Sequence, residues 1–474
     1  MFTASRIRLL VVTCIALFMA MLDNLVIGVA LPSIQKDLNA SMSDLEWFMN
    51  AYTLAFAVLL IPFSVLGESI GRKKVFLAGV VVFTIGSLLC GLSETSLSLI
   101  LSRALQGIGG AAIVPLSLTL VNSAFPPEKR AAAIGLWSGI SGLGLSVGPL
   151  VGGLIMEGAP WQMIFYVNVP VGILAVLFGV KWLEESRGVR KPLDPAGVLL
   201  LVSGLFGLIF GMERGNSEGW GAPIVVGSLA LGALLLVLFY FWEKTRKVPF
   251  VRFELFRSRA YFFYTFAGFW MNAGVFGAIF LLTLFLQQAQ GFTPLQAGVR
   301  EMAWTTMTMI AAPLAGLAIS RLGNRNVLLA GLLFQTAGLA WFALLIQARG
   351  VDFPFIAMLG PMMLAGTGMG LSFTPLSHGL ISSAPEDAAG EASGVGNATR
   401  ELGGVFGIAI GGLIFQSGSA IRSPQDFADH IVPSLGAGSL MMALALLGIA
   451  IFVRGRSTAA QSAPNSANES PSAV

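Results

Sequence analysis

The chain has 474 residues, of which 55% are hydrophobic and only 11% charged, and its mean hydropathy is +0.81. Soluble domains carry about a quarter charged residues, so a water-soluble fold is excluded and an integral membrane protein is expected. A net charge of +4, spread without one basic patch, also speaks against a nucleic-acid partner.

A helix needs about 20 largely apolar residues to cross the hydrocarbon layer. With that window the sequence predicts spans near 9–31, 46–66, 75–93, 98–122, 132–155 and 167–184, then 196–213 and 222–242. Six more follow near 260–286, 297–320, 327–347, 354–378, 392–416 and 434–453. Arg6 and Arg8 precede an apolar stretch that runs on to Leu31, which reads as a retained first helix rather than a cleaved signal. Most other basic residues fall on the same side as the N-terminus: Arg72, Lys73 and Lys74; Lys129 and Arg130; Lys181, Arg187, Arg190 and Lys191; and the run from Lys244 to Arg259. That side is therefore expected to be cytoplasmic, and an even span count returns the C-terminus to it. The tail 457–474, rich in Ser, Ala, Asn and Pro, is expected to be disordered.

Comparing the chain with itself is more informative. The stretch Gly71 to Gly79 resembles Gly323 to Gly331, an offset of 252. Further on, Pro126, Gly135, Gly144, Gly148, Gly152 and Gly153 match Pro385, Gly394, Gly403, Gly407, Gly411 and Gly412, an offset of 259. The third span thus pairs with the eleventh and the fifth with the thirteenth, and both copies keep one orientation. Two six-helix bundles (1–190 and 258–456) separated by two inserted helices (191–257) satisfy this. Parallel halves related about the membrane normal describe the major facilitator fold, all-α with fourteen membrane helices.

Asp23 lies in mid-span, where an ionised carboxylate costs about 2.5–3.5 kcal/mol on insertion scales, so it needs a cavity or a partner. Arg103, near the start of the fourth span, is a permanent charge able to bias that acid's proton affinity. Neither has a charged counterpart in the second half: the offset sets Val275 against Asp23, and aligning Pro375 with Pro115 sets Met363 against Arg103. Proton handling is therefore expected in the first half. Gly144, Gly148 with Pro149, Gly152 and Gly153 offer small residues at four-residue spacing for a close helix contact. Glu401 adjoins Arg400, but neighbours in sequence diverge on a helix, so no mutual pair is expected. Trp137, Trp270, Trp304 and Trp341 offer faces for lipophilic cations. Gly107-Ile108-Gly109-Gly110-Ala111-Ala112 fits a dinucleotide fingerprint by pattern only, since no strand precedes it. His378 and His430 lie far apart, and Cys14 and Cys90 sit in apolar runs, so no metal, disulfide or cofactor site is expected.

These motifs resemble those of the fourteen-helix drug:proton antiporters of the major facilitator superfamily. Leu22-Asp23-Asn24 through Ile34 is similar to the family's first-helix motif, whose acid is implied in proton and cation coupling. Ser64 to Lys73 resembles the gating motif, with Glu68, Gly71, Arg72 and Lys73 implied as its working residues. Arg103 with Gln106-Gly107 resembles the fourth-helix arginine motif, and Gly144 to Gly153 the antiporter motif. Trp161 to Pro170, and Ala392-Ser393-Gly394 with Asn397, Arg400 and Gly403, match the family's sixth and thirteenth helices. Two departures stand out. Ser64, Glu68 and Ser69 replace the usual glycine, aspartate and arginine, and Glu401 stands where an amide is common.

The resemblance implies a monomeric exporter in a bacterial inner membrane, exchanging protons for amphiphilic cations or bulky apolar drugs. Asp23, Arg103 and Glu401 would couple protons. Asp23, Asn24, Gln106, Trp137, Trp270, Trp304, Asn397 and Glu401 would line the substrate cavity. The rival readings are a nutrient or peptide symporter, whose Glu-rich first helix is absent, and a membrane-embedded transferase, for which no loop supplies a catalytic constellation.

Overall fold

The computed structural model describes residues 3–187, 194–247, 249, 251–385, 388–418 and 421–453. Arg190, Lys191 and the tail 457–474 lie outside the described residues. Helices run in the order α1 (Ala4–Leu38), α2 (Met42–Ile70), α3 (Arg72–Gly91), α4 (Ser96–Ala124) and α5 (Pro127–Gly158). A short α6 (Met163–Tyr166) and α7 (Asn168–Trp182) share the sixth span, and α8 (Pro195–Glu218) and α9 (Pro223–Thr245) form the insert. The second bundle holds α10 (Arg259–Leu284), α11 (Pro294–Leu322), α12 (Asn324–Arg349), α13 (Phe355–Ser382), α14 (Ala389–Gln416) and α15 (Pro424–Phe452). The described residues contain 14 helices long and apolar enough to cross a membrane. The protein is a multi-pass membrane protein of the expected class, although several helices outrun their apolar windows.

Helix ends follow from local chemistry. α2, α4, α11 and α15 all begin at the end of the bundle away from the termini, and each starts with a capping box: Ser41 with Asp44, Thr95 with Ser98, Thr293 with Gln296, Ser423 with Asp426. Each box satisfies two backbone groups that no helix turn can pair. At the terminal end, Gly71 (φ 138°) and Gly323 (φ 79°) break α2 from α3 and α11 from α12 within one residue. Side-chain-bearing residues rarely adopt that backbone.

Helix packing reproduces the internal repeat residue by residue. Gly144, Gly148 and Gly152 of α5 lie against the α1 backbone from Phe18 to Val26. Gly403, Gly407 and Gly411 of α14 lie in the same way against α10 from Phe269 to Gly277. Gly107 of α4 faces the Tyr52 carbonyl, and Gly366 of α13 faces that of Trp304; Gly109 meets Phe83 and Gly79, and Gly368 meets Gln335 and Gly331. The offsets are 252 for α2/α11 and α3/α12, and 259 for α4/α13. Arg103 is therefore matched by Met362 rather than Met363 and, with α1/α10 at an offset of 251, Asp23 by Gly274 rather than Val275. The fingerprint-like glycines of α4 are close-packing sites.

One large buried cluster joins both halves, taking Val26, Leu31, Leu45 and Phe48 from one and Phe280, Phe285, Phe342 and Phe427 from the other. These residues sit towards the end away from the termini. Nearer the terminal end each half has its own cluster, around Phe76, Leu116, Phe125 and Leu183 in the first and Tyr261, Leu328, Leu380 and Val453 in the second. Two seams close the far end. α5 meets α11 where Gly153 lies on Pro294–Leu295 and Gly298 on Pro149, and α2 meets α14 where Glu46 lies on Gly412. Gln287 and Gln288, in the π-helical turn after α10, donate to the Val29 carbonyl (2.8 Å) and to Gln35 Oε1 (2.8 Å) of α1. The halves thus share a core at the far end and divide towards the termini.

A Cβ at Gly407 would collide with the Ala273 carbonyl, whereas one at Gly139 meets nothing within 4 Å. Gly407→Ala is expected to cost about 1–3 kcal/mol by forcing α14 off α10, and Gly139→Ala to be neutral or mildly stabilising. Thermal unfolding of the two purified variants distinguishes them; equal midpoints would refute the packing argument.

Candidate functional site

Asp23 is fully buried in the first bundle, halfway along α1. Its Oδ2 accepts from Arg103 Nη1 of α4 at 2.5 Å. Its Oδ1 accepts from Gln106 Nε2 at 2.7 Å and Asn168 Nδ2 of α7 at 2.9 Å. Gln106 Nε2 also donates to Ser87 Oγ of α3 (2.8 Å), and Arg103 Nη1 to Gln106 Oε1 (2.7 Å). Arg103 Nε donates to the Phe48 carbonyl of α2 at 3.0 Å, and the guanidinium lies 4.5 Å from the Tyr52 ring centroid. Arg103 is 1% exposed. Five helices therefore converge on one carboxylate whose oxygens are both satisfied.

The expected partnership of Asp23 and Arg103 is present, but its surroundings differ from the expectation. Asp23 and Gln106 face the interior of their own bundle and are fully buried, and Asn24 is 8% exposed. None of the three lines an open cavity in this conformation. Donors from neighbouring helices, rather than water, complete the shell and offset the cost of burying both charges. Asn168 and Ser87 belong to this site and were not singled out in the sequence, where each is one of several polar side chains in its span.

The gating residues form an intact local structure. Glu68 accepts from Arg72 Nε at 2.9 Å and Nη2 at 2.7 Å. The Glu185 carboxylate, beyond α7, accepts from the backbone N–H of Lys73 (3.0 Å) and Lys74 (3.3 Å), filling the first turn of α3 with negative charge. It also occupies the space where Gly71 has no side chain. Lys73 Nζ donates to the Val180 and Leu183 carbonyls at the end of α7 (2.9 and 2.6 Å). In the second half Arg325, at the matching offset of 252, donates to the Ala450 carbonyl near the end of α15 (2.7 Å). Among the described residues, the hydrogen-bond partners of Glu68, Arg72 and Lys73 named above all belong to the first bundle. The lock expected between helices is one of α2 and α7 to α3 in this state, at the end where the halves divide.

Arg400 and Glu401 do pair, Nη2 to Oε1 at 3.1 Å, contrary to the expectation from their adjacency. Long side chains bend past one helix step, and the Arg400 guanidinium also lies 5.0 Å from the Phe373 ring. Both are half-buried. Glu401 is near enough to the first bundle for its charge to bear on Tyr52. Asn397 donates to Ser393 Oγ at 3.4 Å, which is at the long limit of a hydrogen bond. Trp137 donates to Ser117 Oγ (2.9 Å), Trp304 is buried with its Nε1 on Met369 Sδ (3.4 Å), and Trp270 packs against Phe269 and Phe266. Trp341 is half exposed on the outer face of the bundle. Four further buried acids, Glu46, Glu213, Glu243 and Glu301, were missed. Glu301 of α11 accepts from Thr283 of α10 at 2.6 Å. Among the described residues no group of three or more His, Cys, Asp and Glu could hold a metal.

The Major Facilitator Superfamily model matches residues 13–408, and the chain belongs to that family. It is 32% identical over 429 residues to the tetracenomycin C resistance and export protein of Streptomyces glaucescens, covering 90% of this chain and 79% of that protein. It is 29% identical to the multidrug transporter protein MdtP of Bacillus subtilis, covering 91% and 79%. It is 32% identical to the cephamycin export protein CmcT of Amycolatopsis lactamdurans, covering 96% and 94%. Among solved structures, a bacterial homologue of the lysosomal transporter Spinster, inward-facing and unoccupied, matches with TM-score 0.66 at 16% identity, over 95% of this chain and 98% of that one.

Losing one partner of a buried ion pair costs roughly 3–5 kcal/mol, because the other charge stays buried. Asp23→Asn and Arg103→Gln should each lower the unfolding midpoint in detergent. The double variant should lose less than the sum of the two. Strictly additive losses in a double-mutant cycle would mean the two side chains are not coupled.

Proposed function

We propose that the chain is a proton-driven exporter of drug-like small molecules, working by alternating access in a bacterial cytoplasmic membrane with both termini inside. The observation that carries this reading is the buried pair of Arg103 on α4 with Asp23 on α1, the helix along which the glycine ladder of α5 packs. The names of the curated relatives, which are antibiotic and multidrug export proteins, support the direction of transport and the class of cargo. Taken as three units, the chain divides into a bundle at 1–190, the inserted pair at 191–257 and a bundle at 258–456.

On this reading the conformation described is closed to the outside and divided towards the cytoplasm. Asp23 is sealed here, so its proton exchange belongs to a conformation in which the α1–α4–α7 cluster loosens. Protonation removes the negative charge from Arg103, whose Nη1 then relies on Gln106 Oε1. That weakens the tie between α1 and α4 and gives the half a reason to re-pack. Substrate enters from the cytoplasmic side between the bundles, where Glu401, Asn397 and aromatic side chains are half-buried and suit an amphiphilic cation. Each proton moved down 100 mV releases about 2.3 kcal/mol, or about 50-fold of cargo concentration. The protein works as a monomer and needs no cofactor.

In proteoliposomes loaded with a fluorescent quaternary ammonium dye, wild-type efflux should accelerate on a pH jump that is acid outside. Monodisperse Asp23→Asn protein should lose that acceleration. A response of undiminished size in the variant would end the coupling scheme. Dye movement in the same direction as the protons would favour a symporter instead.

A further inference from the structure

The two far-end seams occupy equivalent places in the repeat, yet they are built differently. At an offset of 252, Gly298 of α11 corresponds to Glu46 of α2. On one seam Gly298 rests on the Pro149 carbonyl, backbone on backbone; on the other a carboxylate rests on Gly412 of α14. Glu46 Oε1 accepts from Gln416 Nε2 across the seam at 2.7 Å. One turn along α2, Asn50 Nδ2 donates to Glu213 Oε1 of the inserted helix α8 at 3.1 Å. Helix α8 packs on α2 and α14, and so flanks this seam.

Glu46, Asn50 and Glu213 are 0%, 0% and 4% exposed. Each keeps one oxygen buried and without a hydrogen-bond partner: Glu46 Oε2, Asn50 Oδ1 and Glu213 Oε2. The Trp47 side chain of α2 also bonds the Glu213 carboxylate; a proton on one carboxylate would give the junction a donor for the acceptors that lack one. The charged groups nearest the junction make other contacts as well, although the Arg214 charge also bears on Glu213. On α2, Asp44 is held in the capping box with Ser41. On α8, Arg214 pairs with Glu218 at 3.1 Å near the surface. On α15, Asp426 caps its own helix and His430 Nδ1 lies 2.7 Å from the Phe415 carbonyl. On α14, Arg400 and Glu401 pair with each other more than two turns away. Two ionised carboxylates within reach of one another repel strongly in such a medium.

We propose that Glu46 and Glu213 form a proton-binding latch on the α2–α8–α14 seam, in which one bound proton is required for the far end to close. The proton comes from water on the far side when the seam is open, binds a carboxylate oxygen, and returns to that side when the seam opens again. It is not carried across, because the junction lies at the closed end. The inserted helices thereby gain a function: α8 supplies the second carboxylate that makes the seam sensitive to far-side pH. The proposal rests on the alternating-access reading but not on Asp23.

The test measures far-end opening directly. Spin labels at Ser43→Cys and Ser417→Cys, in the full chain in nanodiscs, report the α2–α14 separation by pulsed electron resonance from pH 5 to pH 9. The wild-type background should shift from a short to a long distance as pH rises. Glu213→Gln and Glu46→Gln, each carrying at most one charge, should stay at the short distance over the whole range. Asp23→Asn should keep the shift. A shift that persists in both glutamine variants overturns the latch and leaves alternating access standing. A shift abolished by Asp23→Asn but not by the glutamine variants assigns the proton to Asp23 and likewise overturns it. A single distance at every pH, unchanged by the dye, overturns the latch and alternating access together. If Glu213→Gln does not purify, Glu46→Gln alone decides.

Discussion

A guanidinium held at 1% exposure inside a membrane bundle dictates much of what surrounds it. Arg103 cannot shed its charge, so a carboxylate must meet it, and that carboxylate must be bound by donors on both oxygens. Asp23 on α1, Gln106 one turn along α4, Asn168 on α7, Ser87 on α3 and the Phe48 carbonyl of α2 supply the shell. Those requirements fix the rotation of five helices about one point. The close approach they need is provided by small residues: Gly86 lies on Gln106 and Gly107 on Tyr52. In the second half Met362 stands at the place of Arg103 and Ala365 at that of Gln106, and the same approach is kept by Gly338 and Gly366. The packing is a property of the repeat, and the charge is an addition to one copy of it.

This separation explains what was legible in the sequence. The glycine registers were readable because backbone-to-backbone contact leaves only one residue type, so its spacing survives in both halves. Asp23 and Arg103 were readable because a charge in an apolar run has no neutral explanation. Asn168 and Ser87 were not, since amides and hydroxyls are common in membrane helices and only three-dimensional convergence gives them a role. Glu46 and Glu213 stood at the first and last positions of their expected spans, where an acid passes for an interfacial residue. The helices run past those limits, to Met42 and Glu218, and neighbouring helices bury both acids. Adjacency misled in the opposite sense for Arg400 and Glu401, where side-chain length outweighed the angle between successive positions.

The turn at Gly71 shows how a motif can be intact while its expected geometry changes. Glu68 reaches Arg72 within one helical turn, and Glu185 takes over the first turn of α3. A longer acid at position 68 can still satisfy the arginine locally. The matched pair of bonds from Lys73 to the end of α7 and from Arg325 to the end of α15 indicates the shared purpose of the turn. It ties the third helix of each half to the carbonyls of the sixth.

Rigid halves concentrate conformational change at the seams, and there the repeat is least symmetric. Where α5 meets α11 the contact is glycine on carbonyl, and the acid one turn along α11, Glu301, is bonded within its own half to Thr283. Where α2 meets α14 the same register carries a carboxylate, a glutamine from the opposite half and an inserted helix with a second acid. Packing of that seam depends on a charge state, which the glycine-on-carbonyl contact of the other does not. A hinge with one geometric side and one titratable side opens in response to the medium it faces, which a symmetric pair of glycine seams could not do.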